Sequence, residues 1–203
     1  IKNDQLQTEL KFLKSQYHPH FLFNALNTVY FQIDESNKAP RRTLEMISEL
    51  LRYQLYGGNQ KVSILQEIDY LKTYIALRKL RMSERLRLRV EFPPELNELN
   101  IYPLLFLPLV ENAFKYVGGD YQLDIIMKWE NNRISLFIRN SIPELSAEDE
   151  ALRKSVDERQ RKGIGLVNLR RRLSLLYPSK HRLETRKEET EFVAELMIEI
   201  EDI

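Results

Sequence analysis

The first residues that could do chemistry are a histidine and an asparagine near the start of the chain. His20 is followed four residues later by Asn24, so on a helix the imidazole and the amide share one face. A neutral imidazole is a competent nucleophile at neutral pH. A histidine on a dimeric helix is more often a structural residue at the helix seam, so His20 alone is weak evidence for catalysis.

A second group lies on an apolar segment, Pro103 to Val117, for which the spacing predicts a helix. Its polar side chains lie opposite the predicted core stripe: Glu111, Asn112, Lys115 and Tyr116. An asparagine carbonyl is a hard oxygen suited to Mg²⁺, and Lys115 could reach a phosphate as a point charge. The alternative is an ion pair between Glu111 and Lys115 on a solvated helix face.

A third group is glycine-rich and precedes another predicted helix. Gly163 and Gly165 open a helix that contains Asn168 and runs to Tyr177. Glycines at this position let a phosphate approach the backbone N–H groups at the positive end of the helix. The pattern is short, and a flexible loop ending is the alternative. Its place after a long polar stretch, residues 141–162, favours a lid over a nucleotide.

The elements that must position these residues begin with two helices. Leucines at positions 6, 10 and 13 with Tyr17 follow a 4-3-4 spacing, which predicts the start of a coiled coil. A polar turn over residues 34–40 and a stop signal at residues 57–59 bound the second helix. Two helices joined by a short turn form an antiparallel hairpin.

The rest of the chain mixes helices and strands. Ser63 and Gln66 form a capping box that starts a helix, with Leu80 expected at the end of its buried face. Alternation of apolar and polar residues predicts strands at 86–92, 123–129, 134–138, 181–186 and 192–200. Asn131 and Asn132 suit the positive φ angles of a tight hairpin turn.

The pattern predicts an α+β fold. We expect a dimerising helical hairpin over residues 1–62 and an α/β sandwich over residues 63–203, with a mainly antiparallel sheet covered by helices on one face. The hairpin is too small to hold a core of its own, and about 140 residues is an ordinary size for the second domain. The hairpin is therefore expected to form a homodimer.

Composition excludes several classes of protein. The 203 residues include 31 Lys and Arg against 30 Asp and Glu, a net charge of +1, so we expect no direct nucleic-acid binding. The absence of Cys excludes disulfides, Cys-ligated metals and a thiol nucleophile. No apolar run approaches the roughly 18 residues of a membrane span. Without an initiator Met, the sequence is expected to be a piece of a longer protein.

Three strings, in this order along the chain, resemble the LytS-like sensor histidine kinases. They are residues 16–27 (QYHPHFLFNALN), 107–116 (LPLVENAFKY) and 163–169 (GIGLVNL). The first is similar to that family's phosphoacceptor box, the second to the N box of the GHKL ATP-binding fold, and the third to the glycine box that closes the ATP lid. The resemblance spans nearly the whole chain, and three motifs in the family's order are far more specific than any one.

The resemblance implies a two-component transmitter that uses ATP and Mg²⁺. His20 would accept the γ-phosphoryl group, Asn112 would ligate Mg²⁺ and Lys115 would contact phosphate. Glu111 would orient a metal-bound water or act as a base, and Asn24 would assist dephosphorylation of a partner. The nucleotide would also contact Tyr116, Asn140, Gly163, Gly165 and Asn168.

The resemblance also implies partners and a location. The phosphoryl group would pass to an Asp on the receiver domain of a response regulator, of the LytTR type. The parent protein would be bacterial and anchored in the membrane, with this region in the cytoplasm.

One departure keeps other functions open. Where the superfamily reads the adenine amino group with an Asp-x-Gly box, this chain has Asn140 and then Pro143. An amide oxygen can accept the same hydrogen bond but lacks the charge that roughly doubles its strength. The first alternative is therefore a pseudokinase or scaffolding dimer that binds nucleotide weakly. A second alternative is a GHKL ATPase that forms no phosphohistidine.

Overall fold

A computed structural model of the chain describes residues 19–56, 60–94, 96, 99–144 and 164–200. The chain divides into two compact units, Ile1–Gly58 and Asn59–Ile203. The predicted coiled-coil start and most of the polar stretch 141–162 lie outside the described residues. The division into functional domains at 1–62 and 63–203 stays a prediction.

The first unit contains two helices, α1 (Pro19–Gln32) and α2 (Lys38–Tyr56), as the spacing predicts. The turn between them is held by Arg41, whose Nε and Nη2 donate to the carbonyl of Ile33 at 3.2 and 2.9 Å. The same guanidinium lies over the ring of Tyr30 at 4.7 Å, and the Tyr30 hydroxyl donates to Glu45 at 3.1 Å. These contacts fix the second helix against the end of the first.

The second unit is an α+β domain, as predicted. Its elements in chain order are β1 (Val62–Ser63), α3 (Ile64–Lys79), β2 (Arg87–Glu91), β3 (Asn100–Ile101), α4 (Leu107–Tyr116), β4 (Gln122–Glu130), β5 (Arg133–Ser141), α5 (Ile164–Leu176), β6 (His181–Lys187) and β7 (Glu191–Glu199).

The main sheet has the strand order β2-β4-β5-β7-β6. The β2 and β4 strands run parallel, and the other three neighbouring pairs are antiparallel, which confirms the predicted sheet. Asn131 and Asn132 join β4 to β5 with φ of 51° and 58°, as expected for the turn. The short strands β1 and β3 form a separate antiparallel pair.

Helix α4 is central to the packing of this unit. It contacts α3, α5, β4 and β5. Its apolar stripe of Leu109, Val110, Ala113 and Phe114 is buried, and so are the alternate residues of the strands beneath it. The predicted capping box of α3 is present, with Gln66 Oε1 accepting from the Ser63 N–H at 3.2 Å. None of the described helices is long and apolar enough to cross a lipid bilayer.

Two predictions of local structure were wrong, and one pair of strands was not predicted. Helix α4 begins at Leu107 and not at Pro103. Leu104 has φ of 58°, and a residue in the left-handed region cannot be part of a right-handed helix, so the helix starts after it. Leu80, expected on the buried face, follows the end of α3 and is 63% exposed. The two-residue strands β1 and β3 were not predicted, since they are too short to show alternation.

Candidate functional site

His20 and Asn24 are exposed on the first turns of α1 and contact each other. The Asn24 Nδ2 lies 3.1 Å from the His20 Nδ1. Because an amide nitrogen can only donate, this contact is a hydrogen bond in the tautomer whose proton is on Nε2 and whose Nδ1 accepts. Apart from His20, α1 contains no residue that carries a charge, so no carboxylate on the same helix orients the ring.

The bulky residues after His20 divide between solvent and the hairpin interior. Phe21 is 73% exposed, whereas Phe23 is half-buried and stacks on Tyr56 with ring centroids 6.2 Å apart. The guanidinium of Arg52 lies 5.9 Å from the Phe23 ring. This packing holds the helix by one face and leaves the imidazole in water.

The four polar residues of α4 lie away from its buried stripe, as predicted. Glu111 and Lys115 are exposed, and Asn112 and Tyr116 are half-buried. The Lys115 Nζ lies 5.0 Å from the Tyr116 ring centroid. Within the part of the chain that the structure describes, no ion pair joins Glu111 to Lys115. The alternative that explained these two residues by pairing is therefore not supported.

The electrostatic partners of Glu111 lie on α3. Partial burial raises the pKa of Glu111, and the positive charge of Arg78 works against that rise. Burial also raises the pKa of the Tyr74 hydroxyl, with a smaller contribution from Glu111. The Arg78 guanidinium lies 5.7 Å from the Phe114 ring. The Glu111 carboxylate is thus influenced by the helix that precedes α4.

Asn140 near the end of β5 is fully buried and only partly hydrogen-bonded. Its Nδ2 donates to the Ser141 carbonyl at 3.2 Å, and this bond turns the amide so that Oδ1 faces away from it. No described residue donates to Oδ1, although that atom is buried. An unsatisfied buried acceptor costs about 1–3 kcal/mol, so Oδ1 is suited to a donor from outside the described residues.

The end of α4 is fixed beside Asn140. The Ser141 Oγ donates to the Gly118 carbonyl at 2.6 Å, and the Gly118 N–H donates to the Ser141 carbonyl at 3.0 Å. A Cβ on Gly118 would lie 2.9 Å from the Pro143 Cδ, so this close approach requires glycine. The segment that follows α4 is therefore hydrogen-bonded to β5 at the residue next to Asn140.

Helix α5, which contacts α4, contributes the glycine-rich group. Gly163 lies outside the described residues, whereas Gly165 is exposed in the first turn and Asn168 is exposed one turn later. A Cβ on Gly165 would meet no atom of the described residues within 4 Å. Packing against that part of the chain therefore does not require glycine at this position.

The described residues contain no group of three or more His, Cys, Asp or Glu side chains that could hold a metal ion. Mg²⁺ usually takes one or two protein ligands and completes its octahedron with water and nucleotide phosphates. The half-buried Asn112 therefore fits Mg²⁺ that arrives with a nucleotide better than a metal held by protein alone.

Sequence reasoning missed two residues whose side chains hold the segment just before α4. Glu67 on α3 is fully buried and accepts from the Leu104 N–H at 2.9 Å. Arg172 on α5 donates to the Pro103 and Leu104 carbonyls at 2.8 and 3.4 Å. A signal for Glu67 was available, because an acid three residues after Ile64 occupies the apolar stripe of its helix.

Comparison with known proteins gives a family match. Residues 8–86 match the sequence model of a family described as "Histidine kinase". The chain is 29% identical over 180 residues to the sensor protein kinase HptS of Staphylococcus aureus. That alignment covers 86% of this chain and 35% of HptS, so the chain spans about a third of the length of the curated relatives it matches.

Two solved structures of histidine kinases are also similar to the chain. Acinetobacter baumannii AdeS is 12% identical, with a TM-score of 0.46 over 93% of this chain and 98% of that one. The mycobacterial sensor kinase MprB is 13% identical, with a TM-score of 0.46 over 72% and 100%. These scores are too low to add to the sequence match. Residues 8–86 are thus similar to the histidine kinase family, and the chain is similar to the sensor kinase HptS across 180 residues.

Proposed function

We propose that the chain is the transmitter region of a LytS-like sensor histidine kinase, which phosphorylates His20 from Mg-ATP and passes the phosphoryl group to an Asp of a response regulator. The observation that carries the proposal is the buried Asn140 Oδ1, which no described residue hydrogen-bonds. It lies beside the end of the helix that carries Asn112. The family match supports the same reaction.

Asn140 is the residue proposed to recognise adenine. Its Nδ2 is engaged by the Ser141 carbonyl, so the atom that would accept a hydrogen bond from the base is the buried Oδ1. The exocyclic amine of adenine donates there, whereas guanine carries a carbonyl oxygen at the equivalent ring position. Substitution of Asn for Asp therefore removes charge but keeps the direction of the hydrogen bond.

Residues of α4 and α5 would hold the phosphates. Bound Mg²⁺ supplies charge neutralisation on the phosphate oxygens. Asn112 would hold the metal, and Lys115 would contact a phosphate. Tyr116 would line the site beside Asn140, and the open first turn of α5, with Gly165 and Asn168, would bind phosphate through backbone N–H groups. Gly163 is expected to act with Gly165.

The chemical step falls to His20. A ring nitrogen of the neutral imidazole attacks the γ-phosphorus in line, the bond to the bridging oxygen breaks, and ADP leaves. The proton on the other ring nitrogen is then lost to solvent or to a base, and Glu111 is the proposed base. Asn24 would assist removal of phosphate from the partner.

The helical hairpin is the part proposed to dimerise and to meet the response regulator. Phe21, Val29 and Phe31 expose large apolar surfaces on α1. A groove of about 370 Å³ runs between α1 and α2. We expect a homodimer through these helices, a receiver domain of the LytTR type as partner, and a parent protein anchored in the membrane with this region in the cytoplasm.

Incubation of the 203-residue chain with γ-labelled ATP and Mg²⁺ tests the proposal. The kinase predicts a label on the protein that is labile in acid, stable in base and lost in His20→Gln. A scaffolding dimer predicts no label on the unmodified chain, and an ATPase predicts phosphate release that survives His20→Gln. Either of these last two results overturns the proposal.

A further inference from the structure

The segment that leads into α4, residues 102–106, is held by side chains of other helices. The Tyr102 N–H donates to the Tyr177 hydroxyl at 3.2 Å, and the two rings meet edge to face at 5.7 Å. The Leu104 N–H donates to the buried Glu67 carboxylate. Backbone polar groups of this turn are thus satisfied by α3 and by the end of α5.

Leu104 occupies a conformation that needs such support. Its φ is 58°, and a left-handed residue other than glycine is held only where its surroundings enforce it. Glu67 is fully buried, and a carboxylate in that environment makes a stronger hydrogen bond than a neutral acceptor. Its bond to the Leu104 N–H therefore opposes relaxation of the turn.

Arg172 links the same turn to α5. Its Nη2 donates to the Pro103 carbonyl at 2.8 Å and its Nη1 to the Leu104 carbonyl at 3.4 Å. Arg172 follows Asn168 by four residues, so the two share a face of α5. The Arg172 side chain thus connects α5 to the backbone of Leu104, three residues before α4.

From these contacts we infer that Glu67 and Arg172 are positioning residues for the nucleotide site, which set the spacing between the helix of Asn112 and the helix of Gly165 and Asn168. This inference rests on the proposed function. The two helices would hold different parts of one ligand, so a change in their spacing weakens nucleotide binding while His20 and the groups on the nucleotide stay intact.

The test compares two arginines of the same helix. Arg170 also donates to a backbone carbonyl, that of Leu183 at 2.9 Å, but on β6 and away from the α4 turn. Arg172→Met, Arg172→Lys and the control Arg170→Met are made in the 203-residue chain. The Kd for ATP with Mg²⁺ is measured by calorimetry, and KM and kcat for ATP by labelling of His20. Urea unfolding reports the folded fraction of each variant.

Arg172→Met is expected to raise the Kd and the KM for ATP about tenfold, because a tenfold change corresponds to the free energy of roughly one charge-assisted hydrogen bond. The kcat should stay within about twofold of that of the unmodified chain. Arg172→Lys keeps the charge and one donor, so its Kd should lie between those of Arg172→Met and the unmodified chain. Arg170→Met should leave the Kd within about twofold. Glu67→Gln keeps an acceptor for Leu104 and should bind ATP better than Glu67→Leu.

Equal Kd values for Arg172→Met and Arg170→Met overturn the inference, and so does a fall in kcat with no change in KM, which would indicate loss of folded protein alone. If Arg172→Met does not fold, the Kd values of Arg172→Lys and Glu67→Gln are compared with that of the unmodified chain. The inference is overturned if both variants bind ATP with a Kd within twofold of the unmodified chain. If the unmodified chain does not bind ATP, the proposed function fails and this inference fails with it.

Discussion

The amide nitrogen of Asn24 lies 3.1 Å from Nδ1 of His20, one helical turn away, so the amide is placed to donate to that ring nitrogen. In the tautomer that accepts this bond the lone pair of Nδ1 is engaged, and Nε2 carries the proton. Phosphorylation at either nitrogen therefore requires the contact to break or the proton to move. The pair describes a resting form of the proposed phosphoacceptor.

Asn24→Asp is expected to accelerate phosphorylation of His20. A carboxylate can only accept, so it would hold a proton on Nδ1 and leave the lone pair of Nε2 free. Because both groups are exposed, the gain should be modest, about threefold in the initial rate. The measurement is the rate of labelling from ATP, with the ring tautomer read by ¹⁵N NMR. A slower rate, with the proton still on Nε2, would contradict this account.

Asn24 also carries the proposed role in dephosphorylation. Asn24→Ala should slow the loss of phosphate from a phosphorylated receiver domain, because the amide that would position water is removed. The control is Thr28→Ala, which lies one turn further along α1 and bonds only to the Asn24 carbonyl among the contacts described. Equal rates of phosphate loss for the unmodified chain and Asn24→Ala would show that the role is wrong.

Asn140→Leu should change stability and nucleotide binding in opposite directions. Removing a buried acceptor to which none of the described residues donates should raise the free energy of unfolding by about 1 kcal/mol. The same change removes the bond proposed to adenine, so the Kd for ATP should rise about tenfold and the preference for ATP over GTP should disappear. Urea unfolding and calorimetry measure the two effects. If Asn140→Leu still prefers ATP over GTP, Asn140 does not recognise the adenine base.

Two glycines should respond oppositely to alanine. Gly118→Ala should destabilise the domain by about 1–3 kcal/mol, since the new Cβ would meet the stiff ring of Pro143 at 2.9 Å. Gly165→Ala has open space and should stabilise α5 by about 0.5 kcal/mol, while weakening ATP binding if phosphate approaches that turn. Unchanged ATP affinity in Gly165→Ala would exclude close approach there.

The raised pKa of Glu111 predicts a pH dependence of stability. Because burial lifts the folded-state pKa above its ordinary value of 4.5, the folded protein binds more protons than the unfolded chain between those two values. Stability is therefore greatest below the ordinary value and falls as pH rises through the folded pKa. Glu111→Gln should remove this fall. The free energy of unfolding in urea should therefore exceed that of the unmodified chain by more at pH 7.5 than at pH 4.5. A gain that is independent of pH would contradict the shift.

Much of the fold could be predicted because its signals are local. Alternation in β4 and β5, the turn residues Asn131 and Asn132, and the Ser63 capping box each depend on a few neighbouring residues. The start of α4 could not be predicted, since the left-handed Leu104 is held by Glu67 and Arg172 from distant parts of the chain.

The residues of the candidate site could be predicted from the sequence, but the contacts that surround them could not. The polar face of α4 followed from the helical period, and His20 and Asn24 from their spacing. The Oδ1 atom of Asn140 accepts from none of the residues described because the Ser141 carbonyl engages the amide nitrogen and tertiary packing buries the oxygen, and no local pattern encodes either contact. The influence of Arg78 on Glu111 likewise depends on the packing of α3 against α4.

The central claim is that His20 itself receives the γ-phosphoryl group of ATP. The most direct measurement is mass spectrometry at neutral pH of peptides from the chain after incubation with Mg-ATP, which locates the modified residue. We predict phosphate on His20, absent from His20→Gln and from a reaction with ADP. Phosphate on another residue, or an unmodified His20 peptide after ATP has been consumed, would contradict the account.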